Sequence, residues 1–347
     1  MADRHTKGDL QQMQSLPLRI KITMTERRIF DWYNHFQGDV YLSFSGGKDS
    51  TVLKHIIDNM GLQIPSLFVN TGLEFPEIQK FAMSQENVTT IRPEMRFDEV
   101  IKKYGYPVVS KEVSKCVYYA RHGKGKQDIH YQKLFGEFYY NGELSKLYNH
   151  KKWSFLYDAP FEVGSQCCDV MKKRTVHKYQ KETGRVPITA TMAEESLLRE
   201  QAWIKTGCNS FNPRNSISKP MSFWTEQDVL HYIKQFNVPY CSVYGDIVTK
   251  EPDDTPDGQM SFADVNGVYE ESDILKTTGM KRTGCMFCMF GCHLEKEPNR
   301  FQMMKKDHPR QYEYCIRGGQ MVDGKWMPDQ KGLGLGYVLD YIGVKYE

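Results

Sequence analysis

Val40, Leu42 and Phe44 alternate with their neighbours at the period of a half-buried strand, and Val52, Leu53, Ile56 and Ile57 then recur at helical spacing from Ser50 onward. The same switch of period repeats down the chain. "IPSLFVNTGLEFPEIQKFA" reads as a buried strand ending at Asn70-Thr71-Gly72, with a new helix from about Pro76. A short strand follows at 89–92, a helix at 97–103, and a long helical region at 111–148 with glycine interruptions at 123–125. "RVPITATMAEES" supplies another strand, 186–191, running into a helix. A helix over 25–36 precedes them all and takes Thr25 as its cap. "TEQDVLHYIKQF" predicts an amphipathic helix: Thr225 and Asp228 form a capping box, and Val229, Leu230, Tyr232, Ile233 and Phe236 share the apolar side. Alternation of this kind predicts an open, mostly parallel α/β sheet. Ligands of such sheets bind at the carboxyl ends of strands, where Ser45 and Asn70 fall.

Composition narrows the class. The chain has 347 residues, 40% apolar and 26% charged, as in an ordinary globular protein, and no internal repeat is visible. No apolar run reaches transmembrane length, and "MADRHTKGDLQQMQ" is too polar for a secretory signal, so a cytoplasmic protein without membrane contact is expected. A formal charge of +3 does not by itself imply nucleic-acid binding. Its distribution says more: residues 102–152 carry +7, with tyrosines at 104, 106, 118, 119, 131, 139, 140 and 148. Cations interleaved with aromatics suit single-stranded nucleic acid, and equally a lid over a polyanionic nucleotide.

The turn between the first strand and its helix, Ser45-Gly46-Gly47-Lys48-Asp49-Ser50, has the parts of an anion cradle. Two residues without Cβ let amides point inward, hydroxyls flank them, a cation is adjacent, and a helix N-terminus follows. It is not a Walker loop, since Leu42 and Asp49 occupy the required glycine and hydroxyl positions. Adjacent glycines also break the dinucleotide spacing. Ser-Gly-Gly-Lys-Asp-Ser resembles the PP-loop of the ATP pyrophosphatase and phosphoadenosine phosphosulfate (PAPS) reductase superfamily. "FVNTGLEFPE" and "KPMSFWTEQDVLHYIKQFNVPYCSVY" are similar to two later segments of that family, although Asn70 stands where Asp is usual. The resemblance spans most of residues 40–245 and implies a Rossmann-like fold of the adenine nucleotide alpha hydrolase type. It implies that Ser45, Gly46, Gly47 and Ser50 hold a pyrophosphate of ATP, APS or PAPS. Lys48 would neutralise it, Asp49 would ligate or orient Mg2+, and Asn70, Thr71 and Gly72 would contact the nucleotide. Lys48 and Asp49 are the candidate catalytic groups.

Nine cysteines in a reducing compartment point to metal or thiolate chemistry rather than to disulfides. "GCMFCMFGCH" places Cys285, Cys288 and Cys292 within eight residues beside His293, and "SQCCDVMKKR" supplies Cys167 and Cys168. A Cys-x-x-Cys turn presents two thiolates to one centre. A [4Fe–4S] cluster would use Cys285 and Cys288 with the Cys167–Cys168 pair or with Cys292. A structural zinc would take Cys285, Cys288 and Cys292 with His293 or a distant cysteine. The double cysteine with a downstream Cys-x-x-Cys is similar to the cluster motif of APS reductases. Cys116, Cys208, Cys241 and Cys315 read as small core residues. Arg174 is a candidate anion contact or a surface residue, and Glu195 and Arg199 are spaced to pair with each other.

Sulfonucleotide reductases carry their nucleophile in a C-terminal Glu-Cys-Gly-x-His motif, and no cysteine follows Cys315 here. The other branch of the superfamily cleaves ATP to AMP and pyrophosphate, adenylating an acceptor that a sulfur nucleophile then attacks. Some of its members combine the loop with an iron–sulfur cluster. The expected protein is therefore a sulfur-transferring ATP pyrophosphatase, with a sulfur donor protein and a nucleic-acid acceptor as candidate partners. A reductase with a relocated thiol and a nucleotide sensor with a zinc knuckle are the alternatives. The expected division is a nucleotide domain over 1–250, including a helical segment at 111–150, and a Cys-rich region over 251–347, with "EPDDTPDG" at 251–258 as the boundary loop.

Overall fold

The computed structural model describes residues 4–250 and 274–347. The boundary loop expected at 251–258 lies outside them. Packing groups the chain into two units. The first comprises Met1–Val69, Phe75–Ile91 and Tyr179–Thr283, and the second Asn70–Glu74, Arg92–Lys178 and Gly284–Glu347. The helical segment 111–150 thus packs with the Cys-rich stretch.

In the first unit the alternating residues form strands β1 (Val40–Ser43), β2 (Ser66–Val69), β3 (Val88–Ile91), β4 (Val186–Ile188), β5 (Asn209–Ser210) and β6 (Ile217–Ser218). They make one sheet in the order β3-β2-β1-β4-β6-β5. All neighbours run parallel except the edge strand β5. The architecture is an open, mostly parallel α/β sheet. From β1 the chain proceeds to β2 on one side, and it later returns to β4 on the other. The carboxyl end of β1 is therefore a point where the winding reverses, the usual place for a ligand crevice. Leu42, Leu53, Ile56, Phe68, Ile188 and Trp224 meet in the core with almost no exposure. Each such side chain contributes roughly 1.5–3 kcal/mol by leaving water.

Several expectations need correction. The first long helix runs Leu18–His35, not from Thr25. Its apolar face extends a further two turns, and Lys21 is buried there because its ammonium reaches Asp228 at 2.6 Å. Thr25 lies inside the helix, where its hydroxyl accepts from Trp224 Nε1 at 2.9 Å. The region 111–148 is not helical throughout. A helix Lys111–His122 is followed by a second, Ile129–Phe135, which ends at Gly136 in the left-handed region (φ 74°). Residues 139–140 and 143–144 then pair as a hairpin. The strand expected to reach 191 ends at Ile188, and a short 3-10 turn, Ala193–Glu195, precedes the α-helix that begins at Leu197. The Thr225 cap and its box with Asp228 form as predicted over Glu226–Phe236. Phe236, however, is 41% exposed at that helix's end and packs at a tilt against Tyr232.

In the second unit Val108–Val109 pairs in parallel with Met289–Phe290. Ser110 caps Lys111–His122 by accepting from the Val113 amide at 3.1 Å. Among the described residues no helix is long and apolar enough to cross a membrane.

Candidate functional site

The Ser45–Ser50 loop leaves β1 and enters the helix Lys48–Asn59, with Gly47 as its cap residue. Gly46 sits at φ 73°, and a Cβ there would lie 3.1 Å from Ile78 Cγ2 and 3.2 Å from Ala82 Cβ. Both the conformation and the close approach of the helix Pro76–Ser84 require glycine. Ser50 ties the turn together, donating to the Gly47 carbonyl at 2.9 Å and accepting from the Ser45 amide at 3.2 Å. The Gly47 amide reaches Ser45 Oγ at 3.3 Å, and the Lys48 amide reaches the Tyr244 hydroxyl at 3.3 Å. These distances are at or beyond the long end for N–H···O bonds. The loop's amides are thus met by hydroxyl oxygens that a stronger acceptor would displace.

Charge concentrates around this turn. The Lys48 ammonium, 4% exposed, lies 3.0 Å from Glu226 Oε1 and donates to the Lys281 carbonyl at 2.6 Å. Asp49 Oδ1 is buried without a hydrogen-bond partner. Burial pushes the Asp49 carboxyl above its ordinary range, against the pull of Lys48, Arg282 and Arg199. Glu195 and Arg199 pair with each other, as their spacing anticipates. Tyr244 hydrogen-bonds Thr283 Oγ1 at 2.7 Å. Sequence reasoning assigned nothing to Tyr244, Glu226, Arg282 or Thr283. Their only signal was membership of, or nearness to, segments similar to the family, since no periodicity reveals that they return to the loop.

Asn70, Thr71 and Gly72 follow β2 and belong to the second unit, where they close a tight turn. The Gly72 amide donates to Asn70 Oδ1 at 3.1 Å, and the Thr71 amide donates to Glu74 Oε2 at 3.0 Å. Glu74 also pairs with Lys172 at 3.3 Å.

The second unit also gathers seven of the nine cysteines, all but Cys208 and Cys241, and all nine are free thiols. Cys167 and Cys168 stand at the entry of a π-helical turn, Asp169–Lys173, and their sulfurs are 4.0 Å apart. Pairing of Met289–Phe290 with Val108–Val109 carries the Cys285–Cys288 turn into the same unit. Four thiols share one electrostatic environment. The hydrogen bond Cys167 donates to Cys168, together with burial and the nearby Cys288 and Cys285, pushes the Cys167 thiol up. That same bond, with Lys111 and Lys172, pulls Cys168 down. Burial lifts Cys285 to about 11 and raises Cys288, and Cys168 adds to both. Burial opposes charge on Lys172, yet Cys285 and Glu74 hold its ammonium above the ordinary range. Cys292 is set apart: it is 1% exposed, donates to the Met289 carbonyl at 3.1 Å, and is pushed by burial to about 11. His293 packs edge-on against Trp153 and leaves Nδ1 buried without a partner. Cys116, Cys208, Cys241 and Cys315 are buried. Arg174 is exposed and paired with Asp169 at 3.1 Å.

The model of the phosphoadenosine phosphosulfate reductase domain family matches residues 39–135 and 137–289. The chain belongs to that family. Its membership supports adenine nucleotide binding and a place in sulfur metabolism. No curated protein matches the chain. Among solved structures, the crystal structure of PAPS reductase from Candida auris, in a phosphate complex, is similar at 14% identity and a TM-score of 0.36, over 68% of this chain and 90% of that one.

Proposed function

We propose that this member of the family binds ATP at the Ser45–Ser50 loop and cleaves it between the α- and β-phosphates to activate an acceptor for sulfur transfer. The observation that carries the reading is Asp49. A carboxylate oxygen held out of water without a partner, among Lys48, Arg199 and Arg282, is costly in the free protein. It is the arrangement a polyphosphate accompanied by a divalent cation would complete. Mg2+ fits Asp49 as a hard oxygen ligand, and it would offset charge on the phosphates. Ser45, Gly46, Gly47 and Ser50 would receive the pyrophosphate through amides and hydroxyls, displacing the Tyr244 and Ser45 oxygens that now occupy the amides. Lys48 would exchange Glu226 for a phosphate oxygen. Attack of an acceptor oxygen on the α-phosphorus forms the acceptor adenylate and expels pyrophosphate. A sulfur nucleophile then takes the acceptor carbon, and AMP leaves with the oxygen.

Cys167, Cys168, Cys285 and Cys288 fit a [4Fe–4S] cluster. They are four free thiols in one unit, and the charge of Cys168 acts on both Cys285 and Cys288, which supports a shared centre. Such a cluster would supply redox and sulfur chemistry. Cys292, protonated and bonded to a carbonyl, is poorly suited to replace a reductase nucleophile. Tyr139 and Tyr140, 64% and 61% exposed in the basic stretch, suit a nucleic-acid acceptor. Nine cysteines suit a reducing compartment such as the cytoplasm. The test is pyrophosphate release from ATP by anaerobically purified protein. Release is expected, with a loss of at least about tenfold in nucleotide affinity in Lys48→Ala, the equivalent of ~1.4 kcal/mol. Sulfite formed from APS or PAPS, with no release from ATP, would replace this reading with the reductase.

A further inference from the structure

Away from the four-thiol group, the second unit holds another set of metal-ligating side chains. Glu112, Cys116 and His150 each bring a ligand atom within 4.8 Å of the others, the only such trio among the described residues. We propose that these three residues form a separate binding site for a single borderline divalent cation, of which Zn2+ is the representative.

The site is built before any ion arrives. Glu112 and Cys116 are four residues apart on Lys111–His122, so they project from one face of a capped helix. His150 is held by its backbone on both sides: its amide donates to the Lys133 carbonyl at 2.9 Å, and its carbonyl accepts from the Trp153 amide at 2.8 Å. Cys116 is wholly buried, and His150 Nε2 is buried with no hydrogen-bond partner. A shielded imidazole nitrogen without a partner is an unmet ligand, because such groups are ordinarily paired. One carboxylate, one thiolate and one neutral imidazole suit zinc by softness and balance its two positive charges. Three protein ligands leave the fourth position to water.

The free protein already contains a stand-in cation. The Lys133 ammonium lies 3.1 Å from Glu112 Oε1 and 4.3 Å from the centre of the Tyr148 ring. Binding would release the Cys116 thiol proton to solvent and free Lys133 from Glu112, leaving its ammonium on that ring. The ion would then join the helix Lys111–His122 to the segment leading into residues 151–158.

This proposal does not depend on ATP chemistry or on an iron–sulfur cluster. The test is metal content of the full chain, purified anaerobically, equilibrated with ZnCl2 and desalted, with zinc and iron measured together. One equivalent of zinc is expected. It should be lost in Cys116→Ser and His150→Gln with iron unchanged, and kept in Cys208→Ala. Lys133→Met removes the competing ammonium and leaves all three ligand residues in place, so its zinc affinity should rise severalfold, an effect misfolding cannot produce. Wild-type zinc content in both ligand variants, no zinc in the wild type, or unchanged or weakened affinity in Lys133→Met would each overturn the site.

Discussion

Asp49, the proposed Mg2+ ligand, would set stability against function in a single residue. Its carboxyl is raised above the ordinary value by burial, so the free energy it contributes is most favourable at low pH, where the group is protonated in both folded and unfolded states. That contribution is lost as pH rises through the raised folded value. Asp49→Asn should therefore stabilise the nucleotide-free protein near neutral pH by about 1–3 kcal/mol. The advantage should shrink toward zero on acidification, and ATP turnover should be abolished. Thermal melts of both proteins across the acid range check this, and an Asn variant that is less stable at pH 7 would refute it. Sequence reasoning could name Asp49 because it sits inside a recognisable loop. It could not see that Oδ1 lacks a partner, since that depends on which side chains the fold delivers around it.

At the scale of elements, the strand, turn and helix of the loop were legible from period alone, because side-chain burial on one sheet face and one helix stripe leaves a repeat in the sequence. The turn's geometry adds a constraint that period does not carry. Gly46 is held at φ 73° against the helix Pro76–Ser84, so Gly46→Ala meets both a left-handed backbone and two methyl contacts near 3.1 Å. A cost of roughly 1–2 kcal/mol is expected from the backbone alone. Nucleotide binding should fall further than stability does, because the amides that the turn aims would move. Denaturant titration alongside nucleotide binding separates the two effects; a variant with wild-type affinity would show that the turn is not the cradle. The helices were less legible where local cues misled. Thr25 resembles a cap, but the buried Lys21–Asp228 pair carries the helix past it to Leu18. The polar, tyrosine-rich run after Phe135 resembles helix, but Gly136 turns it into a hairpin.

At the scale of the whole molecule, the cysteines divide by place rather than by spacing. Cys292 sits four residues from Cys288 and is indistinguishable in sequence from a ligand, yet its thiol points at the Met289 backbone carbonyl. Cys288→Ala is expected to lose iron, Cys292→Ala to keep it, and Cys208→Ala to keep it as well. Iron and sulfide assays on the three variants decide the ligand set, and iron lost from Cys292→Ala would reassign it. The sequence by itself determined the parallel α/β architecture, and it singled out the Ser45–Ser50 turn as a candidate phosphate cradle and five cysteines as candidate ligands, because burial periodicity and short motifs are local and survive without coordinates. Only the tertiary structure decided that residues 92–178 pack with 284–347, that Tyr244 and Glu226 return to the loop, and that Glu112, Cys116 and His150 converge. Those are long-range contacts set by the closing of chain segments on one another, and no run of neighbouring residues encodes them.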